Sequence, residues 1–290
     1  MLDEQRRIIG ETRAFNPGAI AAAAAARKRR PFLRATGKLM IIAADHCARG
    51  VLAAGDRPMA MANRADLLDR ILVALARPGV DGILASADII DDLLVLGALD
   101  DKVVLGSMNR GGHPGSAYEI DDRFTGYTAG AIAGSGLDGG KMLLRIDPAD
   151  PATAGTLQSC AQATTELAQH ELIAMIEPFL VKRTSERAAN DLTPDAVIKS
   201  MAIASGLGAT SAYSWLKIPV VDEMERVAEA STLPTVLLGG EVGDKPDEMF
   251  GRWRHALSMP NMRGLVAGRN LLYPPGDDVA AAVDIAVSLL

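Results

Sequence analysis

The chain has 290 residues, 49% of them hydrophobic, enough to fill one large core, and a single βα barrel of roughly 250 residues fits that length more economically than two domains. A formal charge of −6 with scattered basic residues leaves no broad electropositive face for nucleic acid, although local arginines can still hold small anions. Cys47 and Cys160 lack the spacing of a disulfide framework or a zinc knuckle, and no run reaches the ~20 apolar residues of a membrane span, so the expectation is a soluble cytoplasmic protein with free thiols.

At the N-terminus the short apolar stretch 19–26 follows several charges and precedes Arg27-Lys28-Arg29-Arg30, the reverse of the order in a secretory signal. It reads as a helix in an N-terminal helical extension over residues 1–37. Residues 38–290 are then expected to form the barrel. Eight strand-like runs follow, at 38–45, 82–86, 102–108, 141–147, 172–181, 212–218, 234–239 and 263–268. Most are near-continuous apolar segments, as in strands covered on both faces. Helix-length segments such as 63–77, 152–170 and 244–257 separate them, the last two following Pro or Asp start signals. Eight strands alternating with helices predict an α/β fold, a single (βα)8 TIM barrel.

An open doubly wound sheet is the alternative, but its GxGxxG signature is missing after the first strand. Gly134-Ser135-Gly136 and Gly139-Gly140 lie before a strand and read as turns. Residues 109–126, containing Gly111-Gly112-His113-Pro114-Gly115, form a long loop suited to the rim of a site.

Reactive groups in such barrels gather at the carboxyl ends of the strands. There the sequence places Asp45 and His46, Asn109 and Arg110, Arg145 and Asp147, Glu177, Lys217, Gly239-Gly240-Glu241 and Gly268-Arg269. Lys217 stands out, because a cation is expensive to bury: it either finds a carboxylate or loses its proton, and a neutral amine can attack a carbonyl to form a Schiff base. A snorkelling or salt-bridged lysine is the plainer reading. By the two-residue period Lys141, Leu143, Arg145 and Asp147 share one face, with Lys141 deeper and Arg145 nearer the mouth. Glu177 interrupts the apolar run around it and is suited to proton transfer, or to a structural salt bridge with Lys141 or Arg145.

Gly239, Gly240, Gly268 and Arg269 form a phosphate-site pattern after the seventh and eighth strands, unless the glycines simply make tight turns. Asp45 is read as holding a substrate hydroxyl, tuning the lysine or ordering the first loop. For His46 a structural hydrogen bond is favoured. Four histidines, two of them in predicted helices or their ends, are too few strand-end imidazoles for a His-rich metal site, so a metal-dependent lyase is disfavoured. No GxSxG elbow supports a serine nucleophile.

These residues resemble class I, Schiff-base aldolases of the superfamily that joins deoxyribose-phosphate aldolase to tagatose-bisphosphate aldolase. The likeness runs from about Lys38 to Tyr273 and is concentrated in four motifs. Gly140-Lys141-Met142-Leu143-Leu144 looks like the family's lysine-led fourth strand and Ile176-Glu177-Pro178 like its fifth. Leu216-Lys217 looks like the Schiff-base strand and Ala267-Gly268-Arg269 like the phosphate-binding end of the eighth. The resemblance is greatest to tagatose-1,6-bisphosphate aldolase and 6-deoxy-6-sulfofructose-1-phosphate aldolases. It extends to an aldolase-like barrel associated with myo-inositol catabolism, a pathway that cleaves 5-dehydro-2-deoxy-6-phosphogluconate.

The resemblance implies Lys217 as nucleophile, Glu177 as acid/base and Arg269 as the phosphate ligand; the residues themselves add Lys141 as the cation that could keep Lys217 neutral, or as a solvated strand start, with Asp45 tuning the lysine or holding a hydroxyl. Arg145 and Asn109 are expected at the substrate, with Arg145, where relatives commonly carry an aromatic residue, facing an acidic group. It further implies a phosphorylated sugar substrate, dihydroxyacetone phosphate as a product, no metal or organic cofactor, and a homo-oligomer. A noncatalytic phosphosugar-binding regulatory barrel is the alternative from another functional class.

Overall fold

The computed structural model of the protein describes residues 3–183, 188–240 and 245–290. Eight parallel strands close into a ring: β1 (Leu39–Ala44), β2 (Gly82–Ala85), β3 (Val103–Ser107), β4 (Gly139–Ile146), β5 (Ile173–Arg183), β7 (Ser214–Ile218), β8 (Thr235–Leu238) and β9 (Met262–Ala267). Pairing of β9 with β1 and of β4 with β5 completes the barrel. All eight coincide with the runs expected from sequence.

The ninth strand, β6 (Ala188–Asn190), was not expected. It pairs antiparallel with the outer end of β5, Val181 opposite Asn190, so β5 continues beyond the barrel mouth. The helices α3 (Arg64–Ala76), α4 (Ala87–Val95), α5 (Ala129–Gly134), α6 (Ala152–Gln169), α7 (Pro194–Ser205), α8 (Met224–Glu229), α9 (Pro246–Leu257), α10 (Arg269–Leu272) and α11 (Val279–Val287) follow the strands in turn. Local chemistry sets several of their starts: Asn63 accepts from the Ala65 and Asp66 amides, and Thr193 caps α7 with Pro194 behind it. The expected helix start at Asp244 lies outside the described residues.

Period-two alternation divides the core into two shells. Leu39, Ile41, Ala43, Leu84, Leu105, Met175, Trp215, Val236 and Val266 fill the lower barrel interior. Their neighbours, such as Met40, Ile42, Met142 and Leu144, point outward against the helices. Above the apolar interior layers the inward positions turn polar, which gives the site its floor.

Two helices, α1 (Asp3–Phe15) and α2 (Gly18–Ala26), precede a segment that closes the opposite end of the barrel. Phe32 packs edge-on to Trp215, ring centroids 5.1 Å apart. Arg30 is ion-paired with Asp81 at 2.5 Å, and Arg27 donates to the Lys102 and Gly136 carbonyls, each at 2.6 Å, and to Asp138 at 3.3 Å. Asp81 and Asp138 also accept from the backbone amides of Met40 and Val104, so each carboxylate joins an N-terminal arginine to a strand. Asp81→Ala, which leaves the buried Arg30 without its partner, is expected to lower unfolding free energy by about 3–5 kcal/mol. Urea denaturation measures this, and a loss below ~1 kcal/mol would show that the pair does not hold the barrel floor.

Candidate active site

Ser107, Lys141, Glu177 and Lys217 occupy inward positions on β3, β4, β5 and β7, and Asp45 follows the inward Ala43 at the end of β1. Strand register puts Ser107 beside Lys141 and Leu143 beside Glu177. Lys141, Asp45 and Lys217 are at most 3% exposed and Glu177 is 8% exposed. Glu177 lies between the two lysines: its Oε1 accepts from Lys217 Nζ at 3.0 Å, and its Oε2 pairs with Lys141. Lys141 Nζ also reaches Asp45 Oδ2 at 3.3 Å, where Ser107 Oγ donates at 3.1 Å and Arg110 forms an ion pair. The buried Lys217 therefore finds a carboxylate.

Opposed forces set the protonation of this cluster. Burial favours the neutral forms, and the neighbouring charges decide the outcome. Burial, reinforced by Arg110, lowers Lys141 to about 8, against the pull of Asp45 and Glu177. Burial acts to raise Glu177, but Lys141 and Lys217 overcome it and hold the carboxyl down at about 2. Asp45 is likewise held well below the ordinary carboxylate range, burial being outweighed by Arg110 and Lys141. His46 falls to about 3, chiefly through burial with Arg269, Lys217 and Arg110 adding to it despite Asp45, so its imidazole stays neutral at physiological pH.

The cluster forms the floor of a cavity of about 870 Å³. On one side stand Gly239, Gly240, Gly268 and Arg269, as the sequence pattern anticipates. A Cβ at Gly268 would collide with the Ala43 carbonyl and press on the His46 ring, so this close approach of β9 to β1 requires glycine. Arg269 Nε and His46 Nδ1 are buried without hydrogen-bond partners among the described residues. On another side Arg145 pairs with Glu119 and donates to Asn190 Oδ1 at 3.0 Å and the Ala188 carbonyl at 2.8 Å.

Two expectations need revision. Asn109 is fully buried but does not line the cavity: its amide donates to the Leu143 carbonyl at 2.5 Å and accepts from the Leu143 amide at 2.7 Å, tying the 109–126 loop to β4. Asp147 leaves the inward face because β4 ends at Ile146, and it binds Arg183 at 2.6 Å instead. Glu241 lies outside the described residues. Sequence reasoning placed Arg110 at the mouth without giving it a role, and passed over Ser107, Glu119 and Asn190. The alternation Val103, Leu105, Ser107 marks Ser107 as inward, whereas nothing local marks Glu119 or Asn190, which reach Arg145 from a loop and from the unexpected β6. Among the described residues no group of three or more His, Cys, Asp or Glu side chains could hold a metal ion, and no helix is long and apolar enough to cross a membrane.

The structure of Cgl0159 from Corynebacterium glutamicum is similar over 100% of this chain and 97% of its own, with 52% identity and a TM-score of 0.98. An archaeal fructose 1,6-bisphosphate aldolase shares the fold with 15% identity and a TM-score of 0.66 over 93% of this chain and 98% of its own. An archaeal fructose-1,6-bisphosphate aldolase whose catalytic Lys is covalently bound to the carbinolamine intermediate aligns with 15% identity and a TM-score of 0.61, over 93% of this chain and 97% of its own. At that identity the likeness is one of fold alone. No curated protein matches the sequence. Residues 37–287 match the Cgl0159-like family, to which this chain belongs.

Proposed function

We propose that this protein is a class I aldolase that cleaves a phosphorylated ketose or keto-acid sugar through a Schiff base on Lys217, releasing dihydroxyacetone phosphate and an aldehyde. The observation that carries the reading is the buried Lys217–Glu177–Lys141 arrangement on the cavity floor, with Lys217 Nζ 3.0 Å from a carboxylate that a second lysine also holds. The same fold in an aldolase whose catalytic Lys is covalently bound to the carbinolamine intermediate supports it at the level of fold. Candidate substrates are 5-dehydro-2-deoxy-6-phosphogluconate and 6-deoxy-6-sulfofructose 1-phosphate.

In the proposed reaction the free amine of Lys217 attacks the substrate ketone, forming a C–N bond, and the carbonyl oxygen departs as water to leave an iminium. A base takes the proton of the hydroxyl β to the ketone, the bond between the α and β carbons breaks, and its electron pair flows into the iminium to give an enamine while the aldehyde leaves. Protonation of the enamine carbon and hydrolysis return Lys217 and release dihydroxyacetone phosphate. Glu177 is the proton carrier within reach of the nitrogen. It is a carboxylate at rest because two cations hold it down. At the carbinolamine stage Lys217 no longer carries charge, so Glu177 gains proton affinity when the departing hydroxyl needs a proton. Asp45, fixed by Arg110 and Ser107, holds a substrate hydroxyl, and Arg269 with its unpaired buried Nε, beside Gly268, Gly239 and Gly240, receives the phosphate.

Borohydride reduction in the presence of dihydroxyacetone phosphate, followed by peptide mass analysis, tests the nucleophile. The expected result is a reduced adduct on Lys217, lost in Lys217→Ala while dihydroxyacetone phosphate still binds. Saturating ligand with no adduct would instead favour a noncatalytic phosphosugar-binding barrel.

Lys141 supplies a pH signature. It is charged below about 8 and neutral above, where it can take the proton that Lys217 must shed across their shared Glu177. Adduct formation is expected to rise with pH through about 8 in the wild type. In Lys141→Met that limb disappears and the rate drops by roughly 10²-fold, the scale of a lost general base. An unchanged pH profile in the variant refutes the assignment.

A further inference from the structure

Arg145 is a 5%-exposed cation on the cavity wall with three of its nitrogens engaged. Nε and one terminal nitrogen are fixed by Asn190 Oδ1 and the Ala188 carbonyl, neutral acceptors that orient the guanidinium without cancelling its charge. The other terminal nitrogen holds the Glu119 carboxylate. Glu119 comes from the 109–126 loop, and the loop's attachment on either side of it is firm. Before it, the Gly112 carbonyl accepts from Arg49 at 2.6 and 2.9 Å and the Gly112 amide donates to Asp122 at 3.0 Å. After it, the Ile120 carbonyl accepts from Thr156 at 3.2 Å. Between these anchors residues 113–118 are mostly exposed, and Glu119 is the charged group that lines the cavity beside Pro114 and Gly115, its other oxygen accepting from the Gly115 amide at 2.9 Å.

We infer that Arg145 is a second anion subsite, for a carboxylate at the end of the substrate remote from the phosphate, and that Glu119 is its in-chain occupant, which the substrate carboxylate displaces. The exchange is of like for like. A planar monoanion replaces a planar monoanion on the same nitrogen, Arg145 keeps its Asn190 and Ala188 contacts, and the charge of the wall is unchanged. A phosphate dianion would add a negative charge to a cavity that already holds Asp45 and Glu177. An uncharged terminus would have to pull Glu119 from Arg145 with nothing to replace it, leaving a buried guanidinium unpaired. Glu119 thus determines specificity against neutral-ended sugar phosphates, and the turn at 113–118 lets it swing out while both anchors stay in place. This inference rests on the proposed function only for the position of the phosphate at Arg269.

The test uses ligands without a ketone, which cannot form an iminium, so its outcome is independent of whether Lys217 is a nucleophile. Binding of 6-phosphogluconate, glucitol 6-phosphate and mannitol 1,6-bisphosphate to the whole protein is measured by calorimetry. Wild type is expected to bind the phosphorylated aldonate at least ~10-fold more tightly than the other two. Glu119→Gln, which keeps the side chain's shape and removes the competing charge, is expected to tighten 6-phosphogluconate binding several-fold further. Arg145→Met is expected to abolish the preference. Equal affinity for 6-phosphogluconate and glucitol 6-phosphate, or tighter binding of the bisphosphate, overturns the carboxylate subsite. An affinity for 6-phosphogluconate that does not rise in Glu119→Gln overturns the displacement.

Discussion

Two carboxylates and two ammonium groups buried together inside a ring of parallel strands are the constraint around which this protein is arranged. Each of these charges alone would be costly to remove from water, and none would remain ionised by itself. Together with Arg110 they satisfy one another: Glu177 bridges Lys141 and Lys217, while Asp45 gathers Lys141, Ser107 and Arg110. Lys141 is left near 8, since its burial and the adjacent Arg110 outweigh the upward pull of its two acidic partners. A cluster poised in this way is sensitive to the loss of a single charge.

The barrel provides the rigidity that this cluster needs. Aliphatic side chains and Trp215 fill the interior below it, and the N-terminal arginines lock the lower rim through Asp81 and Asp138. Above the cluster the construction changes. Loops and the short β6 bring in Arg49, Glu119 and Asn190, so the groups facing the remote end of a ligand stand on elements less tightly packed than the strands. The proposed division of labour follows: strands position the reactive nitrogen and its proton carrier, and loops choose among substrates.

The two ends of the cavity differ in how their cations are satisfied. Arg269 has a buried nitrogen without a partner among the described residues, beside Gly239, Gly240 and Gly268. Arg145, by contrast, is saturated by the protein's own atoms. An anion reaching Arg269 gains a new hydrogen bond, whereas one reaching Arg145 must replace an existing one. In the proposed reading that asymmetry assigns affinity to the first end and discrimination to the second.

Much of this was legible along the chain. Apolar runs of strand length separated by helical segments fixed eight strands, period-two alternation put Lys141 on the inward face, and the isolated charges of Glu177 and Lys217 within apolar runs marked them as inward, because side-chain direction in a strand is a local property. Local pattern could not reveal that β4 stops at Ile146 and releases Asp147 to Arg183, or that the Asn109 amide is consumed by the backbone of Leu143. Nor could it bring Glu119 and Asn190 to Arg145, since those contacts join segments dozens of residues apart through irregular loops without a repeating geometry. The sequence by itself determined the barrel and the identity of its inward charges. Only the tertiary structure decided which charge neutralises which, because pairing depends on distances across the ring that no single strand encodes.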